Sequence, residues 1–238
     1  MPRTARLAPG GYVFHVLNRG NGRATVFDDD GDYAAFERVL FETLELERRR
    51  GRPSPGLLAY CLMPNHWHLV LRPAEDGQLG RVMQRLTVTH VRRWHEHRHS
   101  TGGGHLYQGT YKSVPVQDDP HLLCVNRYVE RNALRAGLVG RAQDWRWCSL
   151  WRRECGGPGA AAVLAEWPVE RPADWLALVN EPQTPAEEAA VRLSVRRGRP
   201  FGSETWQARA AELLGLLASL RPRGRPRKAT GPTQPKAI

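Results

Sequence analysis

The sequence has few cysteines, no long apolar run and fewer acidic than basic residues. Its four cysteines, Cys61, Cys124, Cys148 and Cys155, form no C-x-x-C pair, so neither a zinc ribbon nor a disulfide framework is indicated. No apolar run approaches the ~20 residues needed to cross a bilayer, and the N-terminal residues lack the apolar core of a signal peptide. These absences favour a cytosolic protein with reduced thiols and no membrane anchor.

The charge balance is strongly basic. Lys and Arg number 35 against 24 Asp and Glu, which gives a formal net charge of +11. An excess of this size indicates a polyanionic partner, either nucleic acid or an anionic membrane surface. Because no membrane segment is evident, we favour nucleic acid.

The predicted elements follow the order strand, helix, strand, strand, helix, strand, helix. The strands are predicted at residues 12–18, 57–62, 66–71 and 106–117, and the helices at about 28–50, 77–98 and 119–137. Asp119 and Pro120 are typical of a helix start, and Gly137 is typical of a helix end. This order predicts an α+β fold, a ferredoxin-like antiparallel sheet with helices packed on one face.

We expect two parts in the chain of 238 residues. Residues 1–150 are predicted to form the main domain, and residues 151–238 an irregular or helical basic C-terminal extension. The extension contains a predicted helix near residues 203–220. Its end is rich in basic residues and proline, which predicts a disordered tail.

The stretch MPNHWHLVLR, Met63 to Arg72, contains two histidines at strand spacing. Successive side chains of a strand point to opposite faces, so His66 and His68 share one face and Trp67 takes the other. Two imidazoles side by side on a rigid strand form half of a divalent-metal site. Taken alone, the pair is better explained as two histidines packed or hydrogen-bonded at the edge of a sheet.

Two side chains of the last predicted helix would complete such a site. Tyr128 and Asn132 are four residues apart and so share one helix face. Two imidazoles are too few ligands for a metal ion, and the amide oxygen of Asn132 is suited to join them. A cation there would polarise phosphoryl oxygens. Attack by Tyr128 would leave a 5′-phosphotyrosine and a free 3′-OH, and this bond conserves the phosphoester energy.

Three classes of function remain open on these residues. A metal-assisted nuclease or strand transferase uses the histidines, the tyrosine and the charge. A DNA-binding regulator without catalysis explains the charge but leaves the histidine pair unused. A small metal-dependent hydrolase explains the histidines but not the charge of +11.

Four stretches of the sequence carry a family resemblance. They are VLNRG at 16–20, YCLMPNHWHLVL at 60–71, YQGTYKSVPV at 107–116 and RYVERNALRAGLV at 127–139. With these stretches in order, roughly residues 10–150 resemble the HUH single-tyrosine transposases, and within them most closely the REP-associated tyrosine transposases. The sequence departs from the pattern at Ala133-Leu134, where these proteins more often carry Pro-Val; this changes the helix little.

The resemblance implies a role for each candidate residue. His66 and His68 are expected to be metal ligands, Asn132 the helix-borne polar ligand and Tyr128 the nucleophile. Mg²⁺ or Mn²⁺ is the expected cofactor. The expected substrate is single-stranded DNA that forms imperfect hairpins, such as repetitive extragenic palindromes. The protein would then be a bacterial, nucleoid-associated enzyme, and a monomer and a homodimer both remain open.

Several basic residues are further candidates for DNA contacts. They are Arg19 in a glycine-rich turn, Lys112 on the last strand, Arg127 and Arg131 beside the tyrosine, and Arg223 and Arg225 in the tail. Arg223 and Arg225 belong to an RGRP tetrad that matches the core of minor-groove AT-hook segments. We therefore expect the extension to hold duplex that flanks the hairpin, although a charged, solvated tail explains the same residues.

Overall fold

A four-stranded antiparallel sheet with the strand order β2-β3-β1-β4 organises the chain. A computed structural model describes residues 7–221. The strands are β1 (Val13–Arg19), β2 (Gly56–Met63), β3 (His66–Arg72) and β4 (Lys112–Val116), and the helices between and after them are α1 (Asp30–Arg49), α2 (Gln78–His97) and α3 (Pro120–Glu130). The α+β class and the element order predicted from the sequence are therefore confirmed.

The strand register brings side chains of three strands into one row. His68 on β3 lies opposite Leu17 on the central strand β1, and Leu17 in turn lies opposite Lys112 on β4. His66 lies opposite Arg19 in the next row that faces the same way. Because residues paired across strands share one face of a sheet, these side chains form a single patch at one end of the sheet.

Aspartate side chains cap the N-termini of α1 and α3. The Asp29 carboxylate accepts from the backbone N–H of Asp32 at the start of α1, and the Asp119 carboxylate accepts from the N–H of His121 at the start of α3. Each bond satisfies a backbone donor that has no partner inside the helix.

β4 is shorter than the predicted strand at 106–117, because Tyr107 pairs only through an isolated bridge to Gly20.

Helices cover both faces of the sheet, so the predicted packing on one face is wrong. Trp67, Leu69 and Leu71 of β3 pack with the apolar side chains of α1 and α2. Val70 of β3 packs on the other face with α3 residues such as Val125. The physical reason is that β2 is apolar on both sides, and a strand with two apolar faces needs a cover on each.

The helix predicted at 119–137 is interrupted once. α3 ends at Glu130, and a short helix α4 (Asn132–Arg135) follows after Arg131. Backbone bonds from Arg131 to Arg127 and from Arg135 to Arg131 continue the helical turn, so the spacing of side chains is kept. Gly137 ends α4 with a φ of 72°, as predicted, since an L side chain rarely adopts that conformation.

The extension packs against the same sheet. Helix α5 (Ser149–Glu154) spans the predicted boundary between residues 150 and 151, and the helices after it are α6 (Trp175–Asn180), α7 (Pro185–Arg197), α8 (Glu204–Leu213) and α9 (Leu217–Leu220). Trp175, Val179 and Val191 belong to the apolar core that α3 forms on the sheet. The helix predicted near 203–220 corresponds to α8 and α9, whereas α7 lies where no helix was predicted. The predicted disordered tail lies outside the described residues.

Glu130 ties α3 to the extension. Its carboxylate accepts from the Ser149 hydroxyl at 2.6 Å and from the Trp175 indole at 2.7 Å. Burial raises the pKa of Glu130, although both hydrogen bonds act in the opposite direction.

No helix within residues 7–221 has the length and apolar character needed to cross a membrane.

Candidate active site

Strand β3 sends His66 and His68 to one face of the sheet and Trp67 to the other. The two imidazole centroids lie 5.1 Å apart, with ring planes at 84°. Trp67 is fully buried, and its Nε1 donates to the hydroxyl of Tyr107 at 2.9 Å. The alternation that the sequence predicts is therefore present, and the buried indole fixes the strand in the register that presents the histidines.

Asn65 fixes the orientation of His66. Asn65 Nδ2 donates to the carbonyl of Arg23 at 3.2 Å, which leaves Asn65 Oδ1 as the acceptor for His66 Nδ1 at 2.6 Å. His66 Nδ1 must therefore carry a proton, and Nε2 keeps its lone pair. Burial, followed by the positive charges of Arg19 and Arg135, lowers the pKa of His66 to about 4, so the ring is neutral at neutral pH.

His15 on β1 packs against His68 and is hydrogen-bonded to it. His15 Nε2 and His68 Nδ1 are 2.8 Å apart, and the rings are stacked with centroids 5.0 Å apart. Burial lowers the pKa of His15 to about 4 and that of His68 well below its usual value, so both rings are neutral. When His68 Nδ1 donates in this contact, His68 Nε2 retains a lone pair for a metal ion.

Tyr128 of α3 reaches the histidines of the same chain. Its ring meets those of His68 and His15 edge to face, with centroids 6.0 Å and 6.4 Å away. Only 7% of Tyr128 is exposed, because α3 packs directly on this end of the sheet. The strand half and the helix half of the predicted site are therefore brought together within one chain.

Asn132 and Arg135 continue the helix face that Tyr128 begins. The guanidinium of Arg135 lies over the Tyr128 ring, with Cζ 4.7 Å from the ring centroid. Arg135 Nη2 also donates to Asn132 Oδ1 at 2.6 Å. Because the spacing is four and then three residues, one cation contacts both predicted functional side chains of the helix.

These side chains line a cleft of about 420 Å³. Its polar lining consists of the two histidines, Tyr128, Asn132 and five cationic side chains: Arg19, Lys112, Arg135, Arg192 and Arg196. No Asp or Glu lines the cleft within the described part of the chain. A cavity of this size with an excess of positive charge suits a nucleotide phosphate and is too small for a duplex.

The predicted DNA-binding residues separate into three groups. Arg19 and Lys112 line the cleft. Arg127 and Arg131 do not reach it: Arg127 donates to the carbonyl of Glu181, and Arg131 to those of Val179 and Asn180, at the C-terminal end of α6. That placement is favourable because carbonyls at a helix end lack partners within the helix. Arg223 and Arg225 lie outside the described residues.

The cleft residues fit a divalent cation. Asn65 and His15 hold the second ring nitrogen of His66 and of His68, an arrangement usual for metal-binding histidines. Within residues 7–221 no group of three or more His, Cys, Asp or Glu side chains could hold a metal ion, so a third protein ligand would have to be another oxygen donor, such as a side-chain amide. Asn132 meets this need, since its Oδ1 has a second lone pair beside the contact with Arg135.

Asn132 also offers a donor to a substrate. Its side chain is buried, and Nδ2 has no hydrogen-bond partner among the described residues. A buried amide donor without a partner costs free energy unless a ligand or water satisfies it. In a cleft suited to phosphate, Nδ2 can donate to a phosphate oxygen while Oδ1 faces a cation.

Sequence reasoning missed His15, Arg135, Arg192 and Arg196. His15 lies two residues before Leu17 on β1, so the period of two along that strand places it on the same face as Arg19. Arg135 lies seven residues after Tyr128, which is two helical turns and hence the same face. The sequence marks Arg196 only as the start of the basic stretch RRGRP at 196–200 and gives no signal for Arg192, and it is the packing of α7 that brings both to the cleft.

Comparison with known proteins identifies a family. Residues 11–132, just over half of the chain, match the family model described as "Transposase IS200 like". Curated proteins give no match. A solved structure described as a REP-associated tyrosine transposase bound to a REP hairpin is similar at 16% identity over 77% of this chain and 98% of that chain, with a TM-score of 0.45. The matched residues 11–132 run from the turn before β1 to Asn132.

Proposed function

Because the chain belongs to the family of IS200-like transposases, we propose that it nicks and rejoins single-stranded DNA through Tyr128. The observation that carries this proposal is the meeting of Tyr128 with His66, His68 and Asn132 in one cationic cleft of one chain. The proposed substrate is the phosphodiester of a DNA strand.

Tyr128 would act as the nucleophile. Its phenolic oxygen attacks phosphorus, a bond to the 5′ phosphate forms, and the bond to the 3′ oxygen breaks. The proton lost by the phenol balances the proton that the 3′ oxygen gains. Reversal of this step on a second 3′-OH rejoins the strand without ATP, because the phosphotyrosine keeps the energy of the broken ester.

His66, His68 and Asn132 would hold Mg²⁺ or Mn²⁺. Such a cation, when bound, withdraws charge from the phosphoryl oxygens and so lowers the barrier by several kcal/mol. Asn65 and His15 orient the two imidazoles for this purpose. Arg135 orients Asn132 and the Tyr128 ring together.

We further propose that the strand forms part of an imperfect hairpin, such as a repetitive extragenic palindrome. The four sequence stretches that resemble REP-associated tyrosine transposases support this choice of substrate. The presence of both halves of the site in one chain supports a monomer as the active unit. We place the activity in the bacterial cytosol, at the nucleoid, where such DNA is found.

A covalent adduct is the direct test. The protein is incubated with a labelled single-stranded hairpin and Mg²⁺ or Mn²⁺, and the mass of the modified peptide identifies the linked residue. We expect an adduct on Tyr128 that is lost in Tyr128→Phe. The control is Tyr12→Phe, since Tyr12 packs on Trp206 and does not line the cleft.

Two other outcomes would exclude the proposal. Binding of the hairpin without an adduct or cleavage, in the wild type and in Tyr128→Phe alike, would make the protein a non-catalytic DNA-binding regulator. Cleavage that persists unchanged in Tyr128→Phe would make it a metal-dependent hydrolase that uses water.

A further inference from the structure

Helix α7 forms part of the wall of the active-site cleft although it lies beyond the family match at residues 11–132. α7 packs against both α3 and β4. Its buried face includes Val191 and Ser194, and the adjoining Arg192 and Arg196 line the cleft with Tyr128 and the histidines. The extension therefore contributes directly to the surface that a DNA strand would meet.

The ends of α7 hold the helix in place. Thr184 and Glu187 form a reciprocal capping box at its start, and Gly198 ends it with a φ of 66°. The apolar anchor Val191 is 1% exposed. Since the helix is capped at both ends and fixed to the core, its arginines are presented from a rigid element, which limits the conformational entropy lost on binding.

A second cavity continues the cleft along α7. This cavity, of about 300 Å³, shares Lys112, Val195 and Arg196 with the cleft and extends to Leu214 and Leu216. No acidic side chain lines it within the described residues. The two cavities share these three residues, and we call the surface that they form along β4 and α7 the α7 groove; of its two parts, only the cleft is lined by Tyr128.

We propose that the α7 groove binds the single strand on which Tyr128 acts, with Arg192 and Arg196 holding its phosphates. The inference rests on the proposed function and adds a part of the DNA-binding surface that the extension supplies. The two arginines are four residues apart, about 6 Å along the helix axis, so both can reach phosphates of one strand. The narrow cleft admits a single strand and excludes a duplex.

Glu188 forms ion pairs with two arginines that line the cleft. Arg192 Nη2 lies 2.6 Å from Glu188 Oε2, and Arg135 Nη1 lies 3.9 Å from the same oxygen. Glu188 itself does not line the cleft. A phosphate of the bound strand would therefore compete with one carboxylate for two guanidinium groups.

The test compares Arg192→Gln/Arg196→Gln with a control of equal charge change, Arg49→Gln/Arg209→Gln. Arg49 and Arg209 are exposed and line neither cavity. All variants also carry Tyr128→Phe, so that binding is measured without turnover. Fluorescence anisotropy gives the affinity for a hairpin with a single-stranded extension across the cleavage site and for the same hairpin without it, each over a series of salt concentrations.

We expect the α7 variant to bind the extended hairpin roughly tenfold more weakly at low salt. Its log-log salt slope should be less steep by about 1.4, which is two phosphates at about 0.7 each for a single strand. The hairpin without the extension should be bound almost as before. Arg192→Lys/Arg196→Lys should restore the slope, because the slope depends on charge. Thermal unfolding checks that each variant is folded.

The inference is overturned if the α7 variant and the control lose the same affinity, or if the loss is equal with and without the extension. Adduct formation by the protein with Tyr128 intact is measured separately and tests the proposed function. An adduct together with an unchanged slope in the α7 variant would refute the α7 groove alone. The expected change in slope without any adduct would refute the tyrosine chemistry and leave the groove in place.

Discussion

Replacing Arg135 with Gln should slow the formation of the Tyr128 adduct while leaving the fold nearly intact. In the structure the guanidinium of Arg135 lies 4.7 Å from the centroid of the Tyr128 ring and donates to Asn132 Oδ1 at 2.6 Å. Gln keeps a polar group of similar reach but has neither the positive charge nor the planar fork of guanidinium. The change therefore removes the guanidinium group that fixes the Tyr128 ring relative to the Asn132 amide.

The expected effect follows from these two contacts. A cation over a largely buried aromatic ring contributes about 1–2 kcal/mol. A hydrogen bond from a charged donor contributes about 1.5–3 kcal/mol. If Arg135→Gln removes roughly 3 kcal/mol of these two contributions from the transition state, adduct formation slows by about 100-fold, because about 1.4 kcal/mol corresponds to a factor of ten.

Arg131→Gln is the matched control on the same helical segment. Arg131 donates to the carbonyls of Val179 and Asn180 and does not line the cleft. Its loss should lower the free energy of unfolding by about 1–3 kcal/mol and leave the rate per folded molecule unchanged. Arg135→Lys should not rescue the rate, since an ammonium group cannot reproduce the planar contact with the ring.

The assay measures the single-turnover rate of adduct formation at saturating DNA, with thermal unfolding of each variant in parallel. We expect opposite patterns: Arg135→Gln should be slow but stable, and Arg131→Gln fast but less stable. An Arg135→Gln protein with the rate of the wild type would refute the positioning role of Arg135. So would a rate that falls only in proportion to the unfolded fraction.

Three further predictions concern the surroundings of the site. Glu188→Gln should strengthen binding of single-stranded DNA by several-fold in an anisotropy titration, because it frees Arg135 and Arg192 from a shared carboxylate; weaker binding would contradict this. His15→Phe should lower the affinity for Mn²⁺ by about 10- to 100-fold in a metal titration, since it removes the partner of His68 Nδ1, and an unchanged affinity would exclude that role. Burial lowers the pKa of His90 to about 3 in the folded protein. Below about pH 6.5 this side chain therefore binds a proton in the unfolded chain but stays neutral in the folded chain. Stability should therefore be full above about pH 6.5 and fall with decreasing pH by up to about 1.4 kcal/mol per unit for this group, and thermal unfolding of His90→Gln between pH 7 and 5 should show a smaller decline.

The basic residues near Tyr128 in the sequence differ in their roles in the tertiary structure. Arg127, Arg131 and Arg135 are all arginines on one helical segment, and the DNA contacts predicted from the sequence included Arg127 and Arg131 but not Arg135. The packing of α6 beside α3 turns Arg127 and Arg131 to the free carbonyls of Glu181, Val179 and Asn180. Arg135 lies on the face of Tyr128 and so reaches the cleft. A neighbouring helix, far away in sequence, therefore decided the roles of Arg127 and Arg131.

The sequence by itself determined the parts of the site that depend on residues near one another. The period of two along β3 places His66 and His68 together, and the helical repeat places Tyr128 one turn from Asn132. The cap at Asp119 and the helix end at Gly137 are likewise local, since each satisfies backbone groups within a few residues. Short stretches of the chain determine these properties, and they are present in the structure.

The tertiary structure decided which side chains complete that site. His15 meets His68 across 53 residues of sequence through the pairing of β1 with β3. Arg192 and Arg196 reach Tyr128 because α7 packs on α3 and β4. Such contacts arise from strand register and from apolar cores on both faces of the sheet, where each face can be covered by many segments of similar hydrophobicity. The local pattern of residues does not specify which segment covers which face, and that choice places the cations around the tyrosine.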